Sequence, residues 1–184
     1  ELAEKEDFCD KARLIDLQNR IVDPRFADAD YRTSQNYVGE SVAWQTERVH
    51  CFGCETGTKI WSHAYDCVYA GFGYTAGPRT SVLVADQRAY SLGAMGHLFC
   101  FSAGDGAVLW SRDLHAEYKI RMPNWGIGAA PLVEGDLLIL QIGGADACLV
   151  ALDKRTGQER WKALPDDASY SAPVMIEQAG RRVL

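Results

Sequence analysis

Three tryptophans, Trp61, Trp110 and Trp161, close the same short phrase at intervals of 49 and 51 residues. A period of that length restricts the chain to architectures that stack copies of one supersecondary unit. Aligned on the tryptophans, the phrases run Val49 to Trp61, Leu98 to Trp110 and Leu149 to Trp161. Gly57, Gly106 and Gly157 each lie four residues before their tryptophan, and Phe52, Phe101 and Leu152 lie nine before. Cys51, Cys100 and Ala151 fill a small-residue slot ten before. A second phrase, Ser81-Val-Leu-Val-Ala, Ala130-Pro-Leu-Val-Glu and Ala172-Pro-Val-Met-Ile, opens the later copies.

Within the copy that ends at Trp161, Ala130 to Val133 and Leu137 to Ile142 read as two strands joined across Glu134-Gly-Asp136, because Gly supplies the positive φ of a tight hairpin. Leu149 to Asp153 reads as a third strand and Glu159 to Ala163 as a fourth. Asp153 to Gly157 between them carries turn residues: Asp and Thr side chains accept from nearby backbone N–H groups, and Gly tolerates the left-handed conformation. Four short antiparallel strands in roughly 50 residues form the unit of a propeller blade. Helical repeats of similar period need amphipathic runs of ten or more residues, and none follows Val49. The expected fold class is all-β, a partial β-propeller of four-stranded antiparallel blades. A blade cannot bury both faces alone, so a large flat side chain on its outer strand must pack on the neighbouring blade. Gly and a small residue at fixed offsets leave room for that ring.

The phrase Ala151-x-Asp153-x-x-Thr156-Gly157-x-x-x-Trp161 resembles the tryptophan-docking motif of the pyrroloquinoline-quinone-like (PQQ-like) β-propeller repeat family. The earlier copies depart from it, with Cys51 and Gly53 for Ala and Asp in the first, and Cys100, Ser102 and Asp105 for Ala, Asp and Thr in the second. Trp125-Gly-Ile-Gly-Ala-Ala-Pro-Leu-Val is also similar to the inner-strand entry of these proteins. The resemblance covers residues 48–184 and implies a ring of seven or eight blades, with this chain holding a partial blade over 47–65, blades over 78–112 and 128–164, and the start of another over 170–184. The chain is therefore expected to be a fragment whose neighbours are the remaining blades of its parent. Residues 1–46 are expected to form an irregular or partly helical insert, with helical spacing at Phe8, Ala12, Ile15 and Val22.

Net charge is −6 and the isoelectric point about 5.2, with no basic stripe to neutralise phosphates, which argues against nucleic acid as a partner. No apolar run approaches the roughly 18 residues of a membrane span. The 47% hydrophobic content is ordinary for a globular chain, so stacked sheets can bury a core.

Cys51-Phe-Gly-Cys54 has a spacing used by zinc, redox and haem sites. Zinc needs a second ligand pair, the redox motif a strand-to-helix turn, and haem attachment a His where Glu55 stands. Cys51 and Cys100 read instead as small buried residues in the slot of Ala151. Cys54 and Cys67 are expected to be exposed, with a disulfide between them open in an oxidising compartment. His50, His63, His97 and His115 do not cluster with carboxylates in the sequence. Gly71-Phe-Gly-Tyr-Thr-Ala-Gly77 lacks the Lys-Ser/Thr ending of a phosphate loop and reads as a crossing between blades. The family's quinoprotein dehydrogenases hold their quinone with an adjacent Cys-Cys disulfide, calcium and a catalytic Asp. This chain has no adjacent cysteines and no carboxylate-rich loop, so neither quinone nor calcium nor a catalytic residue is expected in it.

Two blade crossings, Asp66 to Arg79 and Arg112 to Gly128, are rich in aromatic and cationic residues. Tyr69, Tyr74, Arg79, His115, Arg121 and Trp125 form the expected binding surface, because aromatics beside Arg bury area at small entropic loss. The plainer reading is that several of them cap the channel or fill gaps between blades. Resemblance to the propellers of bacterial envelope assembly, among them the propeller lipoprotein of the outer-membrane β-barrel assembly machinery, implies a non-catalytic scaffold for a protein or ligand in the periplasm. The rival expectation is a quinone-dependent dehydrogenase with its active site in other blades. A polymer-degrading enzyme finds no supporting carboxylate pair.

Overall fold

The computed structural model describes residues 43–70 and 77–184. The insert expected over 1–46, except its last four positions, lies outside the described residues, as do Cys9, Phe72 and Tyr74. Strands β1 (Ala43–Phe52) and β2 (Lys59–Tyr69) pair antiparallel. Next, β3 (Leu83–Ala85), β4 (Arg88–Leu92), β5 (His97–Ser102) and β6 (Val108–Asp113) form a four-stranded meander, followed by a short helix α1 (Leu114–Tyr118). A second meander holds β7 (Leu132–Glu134), β8 (Leu137–Gly144), β9 (Ala147–Asp153) and β10 (Glu159–Ala163), and β11 (Ile176–Gln178) pairs with β12 (Arg181–Val183). The first pair outruns the span 47–65 given by the repeat phrase, since side-chain alternation persists from exposed Thr46 and buried Glu47 to buried Cys67 and Tyr69.

All three phrases fold alike. Trp61 stands opposite Cys51, Trp110 opposite Cys100 and Trp161 opposite Ala151, so the small slot is the tryptophan's own cross-strand partner. In each case the ladder then slips by one residue, Phe52 pairing with Lys59, Phe101 with Val108 and Leu152 with Glu159. Ile60, Leu109 and Arg160 are the extra residues of three equivalent β-bulges, which bend the strand just before the tryptophan. The turns are equivalent too: the N–H groups of Gly57, Gly106 and Gly157 donate to Gly53, Ser102 and Asp153, and all three glycines have φ between 66° and 74°.

The first two sheets are each held to the next by their closing tryptophan. Trp61 lies on Gly106, where an added Cβ would sit 2.5 Å from the ring, and its Nε1 donates to Ala103 O at 2.9 Å. Trp110 lies on Gly157 in the same way. Its Nε1 has no acceptor, and the equivalent carbonyl, that of Lys154, accepts from the Tyr90 hydroxyl at 2.9 Å. Around Trp61 an aromatic zipper joins β2 to β5: His63 lies 5.2 Å from Phe99 and 5.0 Å from Phe101, and Tyr65 lies 4.8 Å from Phe99. The second junction is aliphatic, with Tyr90, Leu92 and Leu98 of one meander in one cluster with Leu138, Leu140, Ile142 and Val150 of the next. Polar bridges frame it. Arg112 donates to Gly157 O at 2.8 Å, and Lys154 Nζ reaches Asp86 and Gly135 O, both at 2.6 Å.

Asp153, expected as part of the turn, has Oδ1 accepting from Arg155 N and Thr156 N, while Oδ2 accepts from Arg160 at 2.6 Å. Arg160 first, then the turn amides, hold the carboxyl below the usual carboxylate range. A lowered folded-state pKa gives stability that is present above about pH 4 and is lost as the pH falls through the folded value. Asp153→Asn is therefore expected to lower the denaturation midpoint at neutral pH and to flatten its decline on acidification. Parallel acid limbs for the two proteins would contradict this coupling.

Candidate functional site

The first crossing begins later than the sequence implied, because β2 runs through Asp66 to Tyr69. Its odd-numbered residues point inward, which overturns two expectations. Tyr69 is 1% exposed and its hydroxyl donates to buried Glu47, so it belongs to the core and not to a binding surface. Burial and the Glu47 carboxylate raise its pKa. Cys67 is also buried in β2, and burial, reinforced by Glu47, pushes its thiol up to about 11. Cys54 is exposed and both cysteines are free, so the considered disulfide does not exist. Beyond the strand, Arg79 is half-buried and Thr80 anchors the chain, its Oγ1 donating to Leu92 O at 2.6 Å.

The second crossing is ordered by α1. Asp113 Oδ1 accepts from Ala116 N at 3.1 Å as the N-cap, and Lys119 at φ 50° ends the helix by donating to His115 O. Leu114 and Tyr118 are buried, with Tyr118 donating to Glu159 of the next meander at 2.7 Å, so this aromatic fills a gap between blades. His115 is left exposed on the helix. Further on, Ile127 N–H donates to Ala94 O at 2.8 Å and pins the crossing on the β4–β5 hairpin. Arg121 and Trp125 stay outside, at 80% and 44% exposure.

A third crossing, residues 164–175, meets the second. Asp167 pairs with Arg121 at 3.2 Å, and the Tyr170 hydroxyl accepts from Trp125 N at 3.1 Å while its ring lies on Gly128. Asp167 and Tyr170, 49% exposed, were missed in the sequence because the crossing pattern was followed through two copies and not the third. The site that results is an exposed patch of Arg121, Trp125, Asp167 and Tyr170, while His115 lies exposed on α1 and Arg79 half-buried on the first crossing.

Among the described residues no nucleophile or paired carboxylate is brought into contact with Arg121, Trp125 or Tyr170. Cys100, in the slot facing Trp110, is buried and its thiol is pushed up to about 11 by burial, while Cys51 in the equivalent slot is half-buried. The Cys100 side chain packs in one cluster with Tyr90, Leu98 and Leu138. His63 and His97 lie in the aromatic junction. Among the described residues no three His, Cys, Asp or Glu side chains are placed to hold a metal, and no two cysteines of the chain are sequence neighbours.

Two four-stranded meanders in series, with Trp61 seated on Gly106 of the first and Trp110 on Gly157 of the second, define a partial β-propeller of PQQ-like repeats. The chain belongs to the family described as outer membrane protein assembly factor BamB, which matches residues 45–183. Among solved structures, BamB from Moraxella catarrhalis is similar at 22% identity over 66% of this chain and 32% of that one, with a TM-score of 0.43. A europium-containing methanol dehydrogenase is similar at 16% identity over 65% and 22%, with a TM-score of 0.44. The quinohemoprotein alcohol dehydrogenase ADHIIG from Pseudomonas putida HK5 is similar at 24% identity over 68% and 19%, also at 0.44. The chain thus spans about a third of that BamB and about a fifth of the two dehydrogenases. No curated protein sequence matches it. Among the described residues no helix is long and apolar enough to cross a membrane.

Proposed function

We propose that the chain is part of a non-catalytic propeller scaffold that binds a protein partner in the bacterial cell envelope, using the patch built by its second and third crossings. The supporting observation is the convergence of Trp125 and Tyr170, two half-exposed aromatics from different crossings, flanked by the exposed Arg121–Asp167 pair. Large amphipathic rings beside an arginine are the side chains that most often dominate binding energy at protein interfaces. The family description, an outer membrane protein assembly factor, supports the location and the protein nature of the partner.

Trp125→Ala and Arg121→Ala are each expected to weaken capture of that partner by the full-length protein roughly five- to thirtyfold, the equivalent of about 1–2 kcal/mol per interface anchor. Because both side chains project outward, the melting temperature should stay within a degree or two of the parent. Unchanged capture with a lowered melting temperature would mean that these residues cap the fold. Turnover of alcohols on adding quinone and calcium to the full-length protein would point to the dehydrogenase instead.

A further inference from the structure

The buried end of β2 gathers soft donor atoms. Cys67 Sγ lies 3.9 Å from His97 Nδ1 across the first junction, and the thiol is free. Cys67 shares one packed cluster with Met95 of the β4–β5 turn, and Met122 of the second crossing packs against that cluster. Two of the three methionines of the chain thus meet one cysteine and one imidazole. With its proton on Nε2, the imidazole offers the Nδ1 lone pair toward the sulfur. Metal–sulfur and metal–nitrogen bonds of about 2.3 and 2.0 Å add to about 4.3 Å, so an ion between the two atoms needs a bent S–metal–N angle and no further cavity. Cys67 is 2% exposed, but His97 and Met122 are half-buried, so an ion reaches the sulfur past side chains that themselves touch solvent.

Going beyond the scaffold reading, we propose that Cys67 and His97, with the thioethers of Met95 and Met122 around them, form a binding site for one copper(I) ion. Thiolate and thioether sulfur select this soft ion. Zinc normally takes four ligands, and among the described residues no third His, Cys, Asp or Glu joins the pair. On binding, the S–H bond breaks, its proton leaves to solvent and an S–Cu bond forms; copper stays monovalent, so no oxidant or reductant takes part. The thiolate and the monovalent ion sum to zero charge, which suits a buried position. Burial first, then the charge of Glu47 and behind it that of Asp113, keep the free thiol protonated, and a cation on the sulfur meets the same two carboxylates as attractions.

The test uses the 184-residue chain with Cys9→Ser, Cys51→Ala and Cys54→Ser, which removes Cys9 and the closely spaced pair; Ala151 fills the slot equivalent to Cys51. Under anaerobic conditions with ascorbate, copper(I) is divided between this protein and the chromogenic chelator bicinchoninate. The expected result is withdrawal of one equivalent and a copper-edge X-ray absorption spectrum with both sulfur and nitrogen neighbours. Withdrawal should be lost in Cys67→Ser and in His97→Phe, which keeps a ring but drops both nitrogens. Met95→Leu and Met122→Leu, near in volume, should each weaken competition roughly tenfold or more, the scale seen when a group supporting a metal site is removed. No copper withdrawn, or withdrawal unchanged in Cys67→Ser, overturns the site. Unchanged competition in both methionine variants overturns the thioether ligation and with it the choice of copper(I), as does saturable zinc(II) binding without copper(I) uptake. The spectrum comes from protein that retains Cys67 and His97, so a shell without sulfur overturns the site even where a variant fails to fold. Partner capture is read separately, since none of these side chains belongs to the patch of Arg121, Trp125, Asp167 and Tyr170.

Discussion

Gly106→Ala is expected to destabilise the protein by about 3 kcal/mol, and the same change at Gly57 by about 1 kcal/mol, although the two glycines occupy the same place in the repeat. Both have positive φ, 74° and 66°, so a Cβ strains either backbone. The difference lies in what the methyl meets. At Gly106 it would stand 2.5–2.8 Å from three atoms of the Trp61 indole, whereas at Gly57 no atom lies within 4 Å. The indole cannot step aside, since its Nε1 is bonded to Ala103 O and its ring is packed on Phe101 at 5.6 Å. Denaturant unfolding of the two variants measures the gap. In a Trp61→Ala background the excess at Gly106 should vanish, because the clash and its partner are removed together. Equal effects at the two glycines would mean that Trp61 does not rest on the second meander in solution.

Phe101→Ala should cost about 4 kcal/mol, and Phe52→Ala, nine residues before its own tryptophan in the same way, less than about 1 kcal/mol. Phe101 is fully buried and touches Trp61, His63 and Phe99, so truncation opens a cavity where β2 meets β5. Phe52 is 43% exposed and has the tilted His50 ring beside it, so its removal uncovers little. Thermal melts of the two variants give the comparison. A small loss at Phe101 would show that the first pair of strands is not packed on the following sheet.

The repeat was legible because its chemistry is local. A glycine at positive φ, a turn carboxylate such as that of Asp153, and alternation along each strand are set by neighbours a few residues away, and those signals gave the four strands of the copy that ends at Trp161 with short errors at their ends. Burial at the margins was not legible. Tyr69 and Cys67 look like loop residues, beside Gly71 and Gly73, until β1 pairs with them through Ala43–Tyr69 and Gln45–Cys67 and carries the strand onward. The bulges at Ile60, Leu109 and Arg160 were also hidden, since one unpaired residue leaves no mark on a spacing that counts every residue.

Of the candidate surface, the sequence named Arg121 and Trp125 but could not supply Asp167 or Tyr170. Those contacts join residues 45 and 46 apart, across a whole blade. Exposure is a property of where neighbouring sheets end, and it separated these residues from Tyr118, an equally aromatic member of the same crossing that turned inward to Glu159. The chain's own residues determined that it builds blades, where each turns, and which ring closes it, because backbone preference and side-chain period act over a few positions. Which aromatics became core and which became surface was settled by the stacking of one blade on the next, where space left between sheets and not residue type decides what is covered.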